Sequence, residues 1–405
     1  MINTTTFDVL LGGAPRFQAE SAWAWRLARR YARSLPAKRF TERRGSRPVV
    51  ADLAGDSSVV LVQADPEAYL PAIAARRLLA AVGAADCDFA VPVTNEPESG
   101  ATRCDPPFLY QTPALLDEAA AAVAASADAG GGIRTGEIGG GVRSSVFAAR
   151  REALRDLPPS LPLDEAVFEA GSKGRRVVVD RGAYLHRYGR MDAQARGDLA
   201  QKIPPGARSV LDVGCSNGAT ALALRGSGIT KIVGIEPDPG DAAAAALVYD
   251  RVLAAPLEAV DGVDEEFPGA FDAILFGDVL EHLENPAAAL QRVRPWLAPR
   301  GVLIASVPNV GHWSVIADLL EGRFDYVPYS ILSGTHVRFF TRRTFVDLFD
   351  ACGFSVRAID AVRCAPSPEG GARLARLRAY PGASPDLDAV EFLAVAEAAA
   401  GIPRG

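Results

Sequence analysis

Four side chains in the carboxy-terminal half have the types and spacing that chemistry needs. Asp278, Glu281 and His282 lie in Phe271-Asp-Ala-Ile-Leu-Phe-Gly-Asp278-Val-Leu-Glu281-His282-Leu-Glu-Asn-Pro286, and His336 follows in Gly334-Thr-His336-Val-Arg338-Phe-Phe-Thr341. Positions i, i+3 and i+4 share one face of a helical turn, so the spacing predicts two carboxylates and an imidazole side by side. Imidazole titrates near neutrality, which makes His282 and His336 the candidate proton acceptors and His312 a third.

A second group is built to hold a ligand. Val210-Leu-Asp-Val-Gly-Cys-Ser-Asn-Gly218 runs from an apolar, β-branched strand into a glycine turn, and Ala219 to Arg225 reads as a helix. Strand, tight turn and helix N-terminus let backbone N–H groups approach a bound cofactor. The run Ile232-Val-Gly-Ile-Glu236 is a second short strand ending in an acid, placed where a carboxylate can grip two ribose hydroxyls. Three readings fit these letters. A dinucleotide fold wants Gly-x-Gly-x-x-Gly, which is not supplied. Gly214-Cys-Ser-Asn-Gly218 also spells the Gly-x-Ser-x-Gly nucleophile elbow, with an acid and a His later in the chain. The third is a sulfonium-nucleoside loop, in which Asp212 precedes the turn and Glu236 ends the next strand.

The elements that must position these residues form two domains, 1–188 and 189–405, joined by Arg190 to Gly206 with a Pro204-Pro-Gly stop. The chain has 405 residues, 49% hydrophobic content and a net charge of −6, which argues against a nucleic-acid or polybasic membrane footprint. Five scattered Cys (87, 104, 215, 352 and 364), with no C-x-x-C pair, read as reduced thiols. With no leader pattern at Met1 to Phe7 and no long uncharged apolar run, the expectation is a soluble cytoplasmic protein.

Arg196 to Phe354 resembles the class I S-adenosylmethionine-dependent methyltransferases of bacterial glycan and secondary-metabolite clusters. Three blocks carry the likeness: Val-Leu-Asp-Val-Gly-Cys, Asp-Val-Leu-Glu-His-Leu-x-x-Pro, and Pro-Asn-Val-x-His-Trp with Thr-His-x-Arg-Phe-Phe-Thr. The resemblance implies an α/β chain whose carboxy-terminal domain is a Rossmann-like seven-stranded fold. S-adenosylmethionine would be the cofactor and S-adenosylhomocysteine the product. It implies cofactor contacts at Asp212, Gly214, Cys215, Ser216, Gly218, Glu236, Pro237, Leu257, Phe276, Gly277 and Asp278, and at Arg196 toward the methionyl carboxylate. Asp278, Glu281, His282 and His336 would be catalytic, with His312, Arg338 and Tyr326 against the substrate. The same four also look like the two-acid, two-His magnesium or manganese set of small-RNA 2′-O-methyltransferases. The expected acceptor is a hydroxyl of a sugar, glycan or secondary metabolite, with nitrogen or a non-sugar small molecule as the alternative.

The amino-terminal order of elements resembles a GT-A glycosyltransferase domain, smaller than its neighbour. By that likeness Asp65 stands at the metal acid, Asp164 or Glu165 at the catalytic base and His186 at the late histidine. Gln63-Ala-Asp65 supplies one acid where two are usual. The expectation is therefore a degenerate domain that binds substrate or pairs subunits as a homodimer; a bifunctional enzyme is the alternative.

Overall fold

The computed structural model describes residues 7–13, 20–44, 47–53, 55–65, 68–84, 87–95, 102–104, 112–129, 142–187, 195–260 and 268–399. The chain divides into two units of nearly equal length, Met1–Arg190 with Gly322–Gly334, and Met191–Glu321 with Thr335–Gly405. The division falls two residues beyond the expected boundary, and the segment 322–334 was expected in the second domain. Nor is the first unit the smaller one.

The first unit holds β1 (Phe7–Gly13), α1 (Glu20–Ser34), β2 (Arg39–Arg44), β3 (Val59–Gln63), β4 (Ala68–Tyr69), α2 (Ala72–Gly83), β5 (Phe89–Thr94), α3 (Pro113–Ala129), β6 (Val146–Arg150), α4 (Arg151–Leu154), α5 (Leu163–Ser172) and β7 (Val177–Arg187). Its sheet runs β2-β1-β3-β6-β5-β7-β4, with β6 antiparallel to both β3 and β5 and β4 antiparallel to β7. β3 and β5 are buried throughout, as near-continuous apolar runs require when a sheet is covered on both faces. Val327, from the inserted segment, joins the core formed by Val62, Phe89 and Phe147.

The second unit holds α6 (Gly197–Ala200), β8 (Ser209–Val213), α7 (Ala221–Gly226), β9 (Lys231–Ile235), α8 (Pro239–Ala245), β10 (Arg251–Leu253), β11 (Phe271–Gly277), α9 (Pro286–Val293), β12 (Leu297–Pro308), α10 (Trp313–Leu320), α11 (Arg342–Ala351), β13 (Phe354–Arg363), α12 (Pro368–Arg378) and β14 (Ala389–Ala398). The sheet order is β10-β9-β8-β11-β12-β14-β13. β10, β9, β8, β11 and β12 run parallel to one another, and β14, antiparallel to β12 and to β13, forms with β13 the expected antiparallel edge. From β8 the chain winds outward to β9 and β10, then returns to place β11 on the other side. That reversal opens a crevice beyond the carboxyl ends of β8 and β11, where open α/β sheets bind ligands. Phe276, Trp296, Phe345, Phe349 and Phe392 fill the core on one face. Leu199, Leu224 and Ile304 fill it on the other.

All five cysteines are free thiols. Among the described residues no helix is long and apolar enough to cross a membrane.

Candidate active site

The glycine turn sits at the end of β8. Gly214 and Gly218 adopt φ of 72° and 82°, a left-handed backbone that side chains rarely accept. A Cβ on Gly214 would stand 2.5 Å from Val279, and one on Gly218 2.7 Å from Val248. Ser216 also has positive φ, 46°. Its N–H donates to Glu236 (2.8 Å) and its hydroxyl to Asp241 (3.1 Å). A hydroxyl bonded to a carboxylate instead of an imidazole is no nucleophile elbow, so the hydrolase reading falls away.

Glu236, 7% exposed, follows β9. Its second oxygen accepts from the Asp238 N–H at 2.9 Å. Burial pushes its pKa up, while the two backbone donors oppose that rise. Pro237 beside it is exposed. Asp212 is buried and accepts from the Tyr249 hydroxyl at 2.6 Å; burial raises its pKa to about 6. Cys215 packs under Gly234, and burial pushes its thiol pKa up. The Leu257 and Phe276 side chains belong to the core.

Asp278 departs from the expected helix. Its φ is 54°, and only Leu280–His282 form a short 3-10 turn. The predicted shared face is therefore broken. The Asp278 N–H donates to the Ser306 hydroxyl (3.1 Å), which donates back to the Asp278 carboxylate (2.8 Å). The other Asp278 oxygen meets Arg196 at 2.5 Å. Aspartate tolerates this left-handed conformation better than most residues because its short side chain can bond locally.

Arg196 lies against Gly277, 3.6 Å from where a Cβ would stand. It also bonds Glu391 (2.7 Å) and Asp198 (2.8 Å). Burial opposes its charge, but the three acids outweigh burial and raise its pKa. Burial, then the Asp278 charge, lifts the Glu391 pKa to about 7.

Glu281 is 1% exposed, and neither carboxylate oxygen accepts a hydrogen bond. Burial and the nearby Asp278 charge raise its pKa well above the usual range. Its backbone carbonyl accepts from the Val337 and Arg338 N–H groups at 2.9 and 3.0 Å, which straps the 335–338 segment onto the turn. The strap brings His336 Nε2 to 4.0 Å from Glu281 Oε1. The His282 and His336 rings meet edge to face with centroids 4.8 Å apart. Nδ1 of His282 bonds the Thr335 carbonyl at 3.3 Å, and the residue is exposed.

One ligand atom from each of Glu281, His282 and His336 lies within 4.8 Å of the others. Asp278, the fourth member implied by the small-RNA enzymes, is not in that group. Arg338 clamps the Val337 and Glu284 carbonyls. His312 is buried as the N-cap of α10; its Nδ1 meets the Ser314 hydroxyl at 2.7 Å, and burial lowers its pKa to about 4. Tyr326 belongs to the first unit's inserted segment, edge to face with Phe324 at 5.4 Å.

Sequence reasoning missed Tyr249, Ser306 and Glu391. The only available signal was an acid and a serine at strand ends, which pairing register brings into place.

In the first unit, Asp65 is 7% exposed and is held by Arg187, with Nε at 2.6 Å. Asp164 and Glu165 both accept from Arg47, at 2.8 and 2.7 Å. Burial lowers the His186 pKa to about 3. These residues do not converge: among the described residues, the Glu281 group alone has metal-ligand spacing.

Comparison with known proteins finds a methyltransferase domain in the carboxy-terminal half. Residues 184–359 match the family model described as a methyltransferase domain (Methyltransf_23). A ubiquinone biosynthesis O-methyltransferase of Dechloromonas aromatica is 29% identical over 140 residues, covering 34% of this chain and 60% of the relative. One from Bradyrhizobium diazoefficiens is 31% identical over 132 residues, covering 32% and 51%. The chain thus spans 60% or less of the length of these two curated relatives. Among solved structures, a SAM-dependent methyltransferase from Archaeoglobus fulgidus aligns at a TM-score of 0.37 and 17% identity, over 50% of this chain and 91% of that one.

Proposed function

We propose that the protein transfers a methyl group from S-adenosylmethionine to a hydroxyl oxygen of a small organic acceptor, a sugar or a secondary metabolite. The names of its O-methyltransferase relatives support oxygen as the methylated atom. The donor chemistry of the crevice fits the cofactor. Glu236 offers a carboxylate for ribose hydroxyls, and the 214–218 turn brings backbone close. Arg196, paired here with Asp198, Asp278 and Glu391, would exchange one of these acids for the methionyl carboxylate. When bound, the cofactor supplies an electrophilic methyl for in-line displacement.

The chain must then place the acceptor hydroxyl and remove its proton. His282 is exposed and takes the proton as oxygen attacks. Glu281 and His336 lie beside it, with one ligand atom of each within 4.8 Å of the others. The single observation that carries this assignment is the Glu281 carboxylate, buried with no hydrogen-bond partner beside two imidazoles. A buried unpartnered polar group is costly, so it persists where function needs it.

The same observation favours a second reading, a divalent cation on Glu281, His282 and His336 that would lower the pKa of a substrate hydroxyl. Manganese binding followed by electron paramagnetic resonance separates the two, because only a cation site loses bound Mn(II) in His336→Ala.

Labelled-methyl transfer into a panel of hexoses, nucleotide sugars and catechols tests the function itself. The intact chain should label at least one acceptor class. Label retained by both Glu281→Gln and His282→Ala would reject the centre.

A further inference from the structure

The paired edge strands β13 and β14 are joined by residues 364–388, whereas a hairpin commonly needs about two to five residues. This excursion carries α12, which packs on α10. Together with α11 they enclose a cleft of about 1240 Å³. Its walls are Ile316 and Leu320 of α10, Val346 of α11, and Leu377 and Tyr380 from the excursion, over Phe392 of β14. Leu320 is 76% exposed and Tyr380 74%, large apolar side chains standing in water at the mouth. None of the residues assigned above to cofactor, acceptor or cation lines it.

The charges around the cleft are not equivalent. Arg342 is fixed: it bonds Asp386 at 2.6 and 3.0 Å and lies over the Phe392 ring at 4.9 Å, forming part of the wall. Asp386 is held again by Arg363 at 3.0 Å, so it presents no open acid. Arg343 and Arg376 are different. Arg343 has an 89% exposed side chain and a single loose pairing, 3.8 Å to Asp347. Arg376 is exposed and pairs with no acid among the described residues. The result is an apolar trough whose rim carries Arg343, Arg376 and one exposed acid, Asp347, and so a net positive charge.

We infer that this cleft binds an amphiphilic anion, a molecule with an apolar or aromatic body and a carboxylate, sulfonate or phosphate head. Burial of the body against Leu320, Leu377, Tyr380 and Phe392 supplies affinity, and Arg343 and Arg376 select the charged head. This inference does not rest on the methyl-transfer reading.

The test uses the full chain and two fluorescent probes, 8-anilinonaphthalene-1-sulfonate and its uncharged relative N-phenyl-1-naphthylamine. The sulfonate should bind saturably at one site per chain. The double variant Arg343→Glu, Arg376→Glu should weaken it by about tenfold or more while leaving the neutral probe bound. Leu320→Asp should weaken both. All three positions are exposed, and unchanged thermal unfolding verifies that the variants fold. Sulfonate affinity unmoved by charge reversal, or by Leu320→Asp, overturns the inference. So does a Leu320→Asp chain that turns from dimer to monomer in sedimentation, which would give the cleft to a second copy.

Discussion

In the amino-terminal unit, Asp65 is held by Arg187, Asp164 and Glu165 by Arg47, and the buried Asp8 and Asp180 by Arg151 and Arg77. In the carboxy-terminal unit, Glu281 is buried as deeply as any of them, yet both its oxygens lack a hydrogen-bond partner. An acid matched by a guanidinium has its charge compensated, which weakens its pull on a further cation. An orphaned one keeps that pull, at a cost in stability. The contrast separates acids that hold a sheet together from an acid kept ready for chemistry. Among the described residues, Glu281, His282 and His336 form one group with metal-ligand spacing, and Asp65, Asp164, Glu165 and His186 are not part of such a group.

The largest expected effect breaks the catalytic side of this contrast. His282→Ala should lower turnover by about 10²–10⁴-fold, the usual contribution of a positioned proton acceptor, with calorimetric cofactor affinity largely kept. Equal losses in turnover and cofactor binding would instead make His282 part of the cradle.

Glu236→Ala should act on the other quantity. Losing a charged acceptor for two hydroxyls weakens S-adenosylhomocysteine binding by about 10–100-fold, read by isothermal titration.

On the structural side, Arg187→Met removes the guanidinium that Asp65 meets. The expected cost is about 1–3 kcal/mol in the denaturant unfolding of the first unit, discounted because the Arg187 side chain is 20% exposed. Cofactor affinity should not change.

The smallest effect sharpens the comparison most. The folded-state pKa of Glu281 lies above its ordinary value of 4.5, so the folded chain binds that proton more tightly than the unfolded chain. The associated stability is present below the unfolded value and is lost as pH rises through the folded one. Glu281→Gln removes that loss. Its melting temperature relative to the wild type should therefore climb as pH rises above the ordinary carboxyl value of 4.5. A gap that shrinks over that range would mean that the carboxylate is compensated after all.

The glycine turn was legible because backbone geometry dictates residue type there. Gly214 and Gly218 sit where only glycine is comfortable, and Glu236 follows a short, largely apolar strand. The Asp278–His282 stretch was legible as chemistry but not as conformation. Nothing local announces that Ser306 and Arg196 will hold Asp278 in a left-handed turn. Glu391 was invisible for a related reason. It is set beside Arg196 by the antiparallel register of β14 on β12, where Glu391 faces Pro308. The trough beside α12 was missed because an amphipathic helix inside a hairpin connection has no signal until its partners α10 and α11 are in place. In the first unit the relevant fact about Asp65 is an arginine immediately after His186, and pairing across the sheet cannot be read from either neighbourhood alone.

The central claim is that the bend after Asp212 and the carboxylate of Glu236 form a seat for an adenosyl sulfonium. Titration of the intact protein with S-adenosylmethionine, and separately with S-adenosylhomocysteine, tests it most directly. The account predicts saturable binding of one molecule of either ligand per chain, weakened together in Glu236→Ala. No uptake of either ligand by the folded wild-type chain would contradict it.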